Sequence, residues 1–505
     1  MKFLKHTVWS LIVASMMTAC MGFDEINVDP DKTNRPTPGM LATQILFSMM
    51  DSRSNSSEGF ANHCMLSKHI ACGEKIRDYA YNRIGRTGFG AYTSLIEAEK
   101  MVECAAEVEK PAYRALAHFV RAYNLFYLTM RVGDIPYSEA LGGEKGNFTP
   151  RYDTQKDVIA GVLDELDEAY ELFSQASAFA GDFVFGGKPD KWMRVVNSFE
   201  LKVLMYCAAK DAEIDAAARF ATVFGRGKLL ASNADNFQLV YSSRPDQMYP
   251  FNQYPKFSMY MLVSSTLVEM LKEHEDRRLF YYAEPAQTLL SAGEDTYEAY
   301  EGVDPVAESS EIVNAYMRGS CSKLNNRYLE TEVGEPFIRI GYAEQQFILA
   351  EAALRKWITG EGAEVYYKSG IRAAMKFTAA NTPVKYQHGV KIDDAYIASY
   401  LEGPQVKFGA SATENLNRIY KQKYILYFLQ HEWDAFFECR RTGVPELPVN
   451  PSTNMNTDPC AGCILRPNTT ATTLTSWRQS HASMTGWIMR IVSCGFLNNW
   501  YDETD

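Results

Sequence analysis

The stretch AYRALAHFVRAYNLFYLTMRVGDIP, residues 112–136, carries apolar side chains at Ala115, Phe119, Ala122, Phe126 and Met130. Steps of three and four put these on one face of an α-helix, whereas a half-buried strand needs alternation by two. Gly133-Asp134 and Pro136 then stop the helix, because glycine frees the backbone and proline lacks the amide proton. QKDVIAGVLDELDEAYELF repeats the stripe through Ile159, Val162, Leu166, Tyr170 and Phe173. KWMRVVNSFELKVLMYCAA repeats it through Trp192, Val196, Phe199, Val203 and Cys207.

A fourth block, YAEQQFILAEAALRKWITGEGAEVYYKSGIRAAMKF, predicts a helical pair. One helix ends near Trp357, ITGEG turns, and a second runs from about Ala363 to Phe377. Ala350, Ala353, Ala373 and Ala374 allow the two to approach closely. Acids such as Asp164, Glu165, Glu344 and Glu351 are expected on the solvated faces. Between the helical blocks the texture changes. About 230 to 260 is rich in Asn, Ser, Tyr, Pro and Gln, about 283 to 333 in Glu, Ser and Gly, and about 448 to 480 in Thr, Pro and Asn. These read as long loops, where binding residues concentrate. The fold class is therefore mostly α, a tetratricopeptide-like helical-pair scaffold with long irregular ligand-binding insertions.

The beginning of the chain reads differently. Thr7 to Ala19 is an apolar run of thirteen residues behind Met1, Lys2 and Lys5. A bilayer-spanning helix needs roughly 20 residues, so the run reads as a secretory signal. Met17-Thr18-Ala19-Cys20 resembles a bacterial lipobox, with Met in place of the commoner Leu. Cys20 is then the lipidated residue of the mature protein, held by acyl chains worth about 0.8 kcal/mol per buried CH₂. No later stretch has the run of about 18 uncharged apolar residues that a span requires.

Among 505 residues, 46% are apolar and 22% charged, enough for a sizeable core. The formal net charge is −11, which argues against nucleic acid as a partner, since phosphate binding needs a basic face. Cys460-Ala-Gly-Cys463 is the one CxxC, and Cys64, His69 and Cys72 lie close in sequence without a fourth ligand at suitable spacing. With Cys20 set aside nine cysteines remain, an odd number. They are expected as thiols, with one or two disulfides open after export. No G-x-S-x-G elbow, H-E-x-x-H, P-loop or Rossmann fingerprint occurs, so the chain reads as no enzyme and needs no cofactor or metal. Arg440-Arg441 sits between a helix end and Gly443, and is expected to form ion pairs and to cap carbonyls.

The order of several segments resembles the SusD/RagB group of outer-membrane nutrient-binding lipoproteins over nearly the whole chain. FDEINVDPDKTNRPTP, AHFVRAYNLFYLTMRVGDIPY, TPRYDTQKDVIAGVLDELDEAYELF, DRRLFYY and RIGYAEQQFILAEAALRKW follow in the family's order. IYKQKYILYFLQHEWDAFFECRRTGVPEL is the most specific, with Gln422-Lys423, Glu432-Trp433 and Arg440-Arg441-Thr442-Gly443 at family spacing. The C-terminus IMRIVSCGFLNNWYDE departs from the pattern. The resemblance implies residues 1–19 as lipoprotein signal peptide, 20–40 as a lipid-anchored leash and 41–505 as a single SusD-like helical domain. It further implies a cell-surface, outer-membrane location and a SusC-like TonB-dependent transporter as partner.

A neutral glycan offers an apolar ring face and a rim of hydroxyls, met by a flat aromatic and by Asn, Asp or Arg. KIRDYAYNRIGRTGFGAYTSL has both, in Arg77, Asp78, Tyr79, Tyr81, Asn82, Arg83, Phe89 and Tyr92. This segment is similar in position to one that supplies ligand contacts in the family. Tyr249, Asn252, Gln253 and Tyr254 form a second candidate group, and Tyr297 and Tyr300 a third. The competing expectation is that these aromatics pack loops onto helices. Two functions stay open: a glycan-binding lipoprotein that delivers an oligosaccharide to the transporter, and a peptide or other nutrient binder on the same scaffold.

Overall fold

The computed structural model describes residues 36–50, 57–73, 77–82, 88–253, 260–431 and 433–453. The signal segment, Cys20, Arg83, Tyr254, Cys460, Cys463 and the divergent C-terminus lie outside the described residues, as does the side chain of Arg77. The main helices are α1 (Pro38–Met50), α2 (Ser57–Leu66), α3 (Ala91–Cys104), α4 (Lys110–Val132), α5 (Gln155–Gln175), α6 (Pro189–Tyr206) and α7 (Ala216–Gly225). They continue with α8 (Ser265–Glu273), α9 (Ser309–Arg318), α10 (Tyr342–Leu354), α11 (Ala363–Ala380), α12 (Ala412–Leu426) and α13 (Asp434–Thr442). The fold is mostly helical and tetratricopeptide-like, as the periodicity predicts.

Local chemistry sets the helix ends. Thr154, Ser264 and Ser411 cap α5, α8 and α12, each side-chain oxygen accepting from an amide three residues on. Gly133 ends α4 at φ 83°, a left-handed conformation that suits glycine. Helices α3 to α7 pack each on the next, α10 pairs with α11, and α12 covers α10. Contact between α6 and α10 joins the two groups. The predicted stripe of α4 is buried throughout. At its centre Phe119 meets Trp192 of α6 edge to face at 5.4 Å, and meets Phe199 and Phe237 the same way. On α11, Gly370 lies beneath the Phe347 ring of α10, where a Cβ would come within 2.7 Å of the ring.

Three features differ from the sequence reading. The Glu, Ser and Gly-rich stretch contains α9, a ten-residue helix that buries only Ile312 and Ala315. Two small antiparallel sheets form: β1 (Ile70–Cys72) with β3 (Met261–Val263), and β2 (Phe237–Leu239) with β4 (Phe337–Ile340). Strands of three or four residues are too short for alternation to register. Glu344 and Glu351 are not solvated: they are 2% and 0% exposed.

These two acids anchor a network of buried charge. The Lys202 ammonium from α6 lies 3.0 Å from Glu344 and also bonds Asp434 of α13. Tyr127 of α4 donates to Asp434 and Tyr427 to Glu344. Two turns along α10, Arg441 grips Glu351 through both carboxylate oxygens at 2.8 and 2.7 Å, and Glu438 pairs with Arg441 and Lys423. Arg440 donates to the Met130 carbonyl at the end of α4. Arg440 and Arg441 thus form the expected ion pairs and cap. Burial works against the Lys202 charge, and Asp434 with Glu344 outweighs it and raises its pKa.

Removing one partner of a buried pair strands the others, at about 3–5 kcal/mol. Lys202→Met should therefore lower unfolding stability by that amount, read from urea denaturation, or prevent folding. The second half of the network gives a pH signature. Burial alone would raise the Glu351 carboxyl, and the Arg441 guanidinium outweighs it and holds the group down at about 2. A carboxyl held low contributes stability that is complete above its ordinary value of 4.5 and is lost as pH falls towards 2. Thermal midpoints should fall across that window, and Arg441→Gln should lower the midpoint at pH 7 while flattening the acid slope.

Candidate functional site

The first candidate segment follows β1 and closes on the C-terminal end of α4. Asp78 and Tyr79 lie in the one-turn helix Arg77–Ala80, with Asp78 exposed and Tyr79 half-buried. The Tyr79 ring stands edge-on to Trp433, centroids 5.9 Å apart. Trp433 opens α13, stacks on Phe437, and has the Arg131 guanidinium of α4 5.7 Å from its ring centroid. Asn82 is half-buried, and its side-chain oxygen accepts from the ammonium of the buried Lys68 at 2.8 Å. Phe89 and Tyr92 stack with centroids 6.0 Å apart, and the Tyr92 hydroxyl donates to the Pro136 carbonyl just beyond α4. Tyr152, 41% exposed, lies close enough to Tyr92 to interact with its hydroxyl.

The other predicted residues do different work. Tyr81 is buried, and its hydroxyl donates to the Ala307 carbonyl at 2.9 Å, tying the segment to the loop before α9. Tyr249 is 1% exposed, edge-on to Tyr241 at 5.3 Å and packed over Gly334. Asn252 donates to the Leu329 carbonyl. Tyr300 is 2% exposed against Phe280, and Tyr297 donates to the Glu275 carbonyl. The second and third groups are thus taken up in packing, and they do not join the first. Two groups lie by the end of α4: Tyr79 with Trp433 and Arg131, flanked in the chain by Asp78 and Asn82, and Phe89 with Tyr92 and Tyr152. Arg131, Tyr152 and Trp433 were missed; Trp433 was legible only as half of the Glu-Trp pair.

A separate groove of about 370 Å³ is lined by Asn233, Tyr342, Ser369, Arg372 and Lys376, none of them a predicted residue. Lys376 pairs with Asp394 at 2.8 Å. Neither cluster of metal-ligand types is open to an ion. Both ring nitrogens of His69 are taken, by Ser67 and by the Tyr424 carbonyl, and burial pushes the Cys64 thiol up to about 12. Glu344, His431 and Asp434 converge, but the Lys202 ammonium bonds both carboxylates. Cys64, Cys104, Cys207, Cys321 and Cys439 are free thiols.

A scaffold of helical pairs with an irregular half that presents aromatic and polar side chains defines a surface for holding a ligand. The family described as SusD-like, "starch-binding associating with outer membrane", matches residues 30–461, and the chain belongs to it. A SusD homologue of known structure from Bacteroides fragilis is 41% identical, covering 89% of this chain and 96% of its own, with a TM-score of 0.80. A second from the same species is 35% identical over 83% of this chain and 90% of its own, at 0.74. An outer-membrane protein of Bacteroides vulgatus, described in connection with nutrient binding, is 30% identical over 89% and 97%, at 0.76. Comparison with curated proteins returned no match.

Tyr81→Phe should leave the Ala307 carbonyl without its donor and lower stability by about 1 kcal/mol. A thermal shift assay against the parent chain measures it.

Proposed function

We propose that this chain is a cell-surface lipoprotein that captures a glycan and hands it to a SusC-like TonB-dependent transporter. The observation that carries the reading is family membership over residues 30–461 combined with the ledge at the end of α4. Tyr79 and Phe89 are half-buried aromatics of the kind that cover the apolar face of a sugar ring. Asp78 and Asn82, close to Tyr79 in the chain, offer directional partners for hydroxyls. Arg77 and Arg83 belong to the same stretch of sequence and extend the proposed set. Cys20 carries the lipid, the residues after it form the leash, and α1 takes over at Pro38. Among the described residues no helix is long and apolar enough to cross a membrane, which suits attachment through the anchor.

Binding without cleavage is part of the same reading. Among the buried carboxylates, Asp276, Glu335, Glu344, Glu351, Asp434 and Glu438 each pair with a cation, an arrangement that serves the fold. The groove beside Arg372 and Lys376 favours a second reading, because cations next to the Tyr342 ring suit the carboxylate of a peptide.

The test is calorimetric titration of the chain beginning after Cys20 against a panel of glycans and a panel of peptides. Heat should come from one glycan class, and Tyr79→Ala should weaken it by about tenfold or more, equivalent to about 1.4 kcal/mol. Heat from peptides alone, lost on Arg372→Ala, would replace the glycan reading with the peptide one.

A further inference from the structure

Lys68 is a buried cation beneath the ledge. It follows α2, is 0% exposed, and no carboxylate pairs with it among the described residues. Its three protons are spread over oxygens of a single neighbouring segment and of its own helix end. The ammonium donates to the Ala80 carbonyl at 2.6 Å and to Asn82 Oδ1 at 2.8 Å, with the Met65 and Tyr79 carbonyls at 3.4 and 3.5 Å. Its backbone is left-handed, φ 60°, and Asn82 at the other end of the clamp is left-handed too, φ 56°. A left-handed backbone costs a residue with a Cβ roughly 1–2 kcal/mol. Burying an unpaired ammonium costs several kcal/mol more. The contacts that offset both costs are those to the Tyr79–Asn82 segment and to the carbonyl end of α2, where a cation is favoured.

The Lys68 main chain is fixed as firmly as its side chain. Its carbonyl accepts from the Ser264 hydroxyl, the cap of α8, and the next residue's ring is locked by Ser67 and Tyr424. The ammonium therefore extends from a rigid base in the core to the underside of the ledge. Burial lowers its pKa to about 7, which agrees with a charge held by neutral oxygens rather than by a counter-ion.

We propose that Lys68 is a positioning residue for ligand capture: its ammonium holds the Tyr79–Asn82 ledge in the form that presents Tyr79 and Asn82 to the ligand. This rests on the reading of the ledge as the binding site. An apolar side chain of the same length would fill the space and leave the Ala80 carbonyl and Asn82 Oδ1 without this donor, while the Met65 and Tyr79 carbonyls keep the amides of Lys68 and Asn82. The ledge would then be free to adopt other turns, and a ligand would have to order it on binding.

The test uses the chain without its leader, with 3-fluorotyrosine placed at Tyr79 alone and, as a control, at Tyr113 of α4. In the parent, Tyr79 should give one sharp fluorine resonance. In Lys68→Met it should broaden or split while Tyr113 stays unchanged. Affinity for the binding glycan of the panel should fall about tenfold. Lys68→Gln, which keeps a short-stemmed donor, should recover part of both, and it carries the test if the Met variant does not fold. In a Tyr79→Ala background, Lys68→Met should cost less affinity than it does in the parent, because part of its effect passes through that ring. An unchanged Tyr79 resonance in the variants overturns the clamp, whatever the panel shows. A changed resonance with unchanged affinity overturns the role in capture. Loss of binding in Tyr79→Ala alongside normal binding in Lys68→Met leaves the site standing and overturns the role of Lys68 in capture.

Discussion

The structure depends on cations brought to two acids of one helix. Glu344 and Glu351 lie seven residues apart on α10, two turns along the same face, and are met from α6 by Lys202 and from α13 by Arg441. Tyr127 of α4 and Lys423 of α12 complete the lattice through Asp434 and Glu438. Five helices thus share one set of interactions that tolerates few alternative arrangements. A buried ion pair contributes little net stability compared with packed apolar groups, because desolvation offsets most of the attraction. Here it fixes register: only one rotation of α13 brings Asp434, Glu438 and Arg441 to their partners together. That rotation also sets Trp433, against which Tyr79 leans, so the candidate ledge is positioned from the ionic centre outwards.

This explains which parts of the fold were legible in sequence. The helices α4, α5, α6, α10 and α11 bury broad apolar stripes, and such stripes print their period on the sequence. Glu344 and Glu351 misled because a buried acid on an otherwise amphipathic helix looks like a solvated one. What marks them as buried is the cation that reaches them, and Lys202 and Arg441 are distant in sequence. The strands were invisible for a related reason: β1 and β3 pair across some 190 residues with three residues each. The run IYKQKYILYFLQHEWDAFFECRRTGVPEL was recognisable as a unit because so many of its side chains, Gln422, Lys423, Asp434, Glu438, Arg440 and Arg441, are committed to buried polar contacts.

The candidate site was legible in part. A candidate segment could be found from the coincidence of aromatics with Asp, Asn and Arg. Which aromatics face outwards could not, since alternation along an irregular loop carries no fixed period. Tyr79 and Tyr81 are two residues apart and end up half-buried beside Trp433 and buried beneath Ala307 respectively. Tyr249 and Tyr300 look no different in sequence from Tyr79, yet each is enclosed by further aromatics, Tyr241 and Phe280. The partners Arg131, Trp433 and Lys68 come from three other parts of the chain, and only the fold assembles them.

The irregular half is held on by modest means, and this bears on how such a surface works. Ala71, Leu262, Val303, Ala307, Ile312 and Ala315 form a small core of their own, separate from the main one. Sheet β1–β3 and the Tyr81 hydroxyl fasten it to the first candidate segment. A core of six small or medium side chains contributes far less than the helical body, so side chains on the ledge can change with little effect on the scaffold. The scaffold supplies rigid fixed points, Trp433 through the ionic lattice and Lys68 through α2 and α8, and the ledge is suspended between them. On the proposed reading, ligand preference follows from a few exposed side chains, and affinity from how firmly the two fixed points hold the ledge before the ligand arrives.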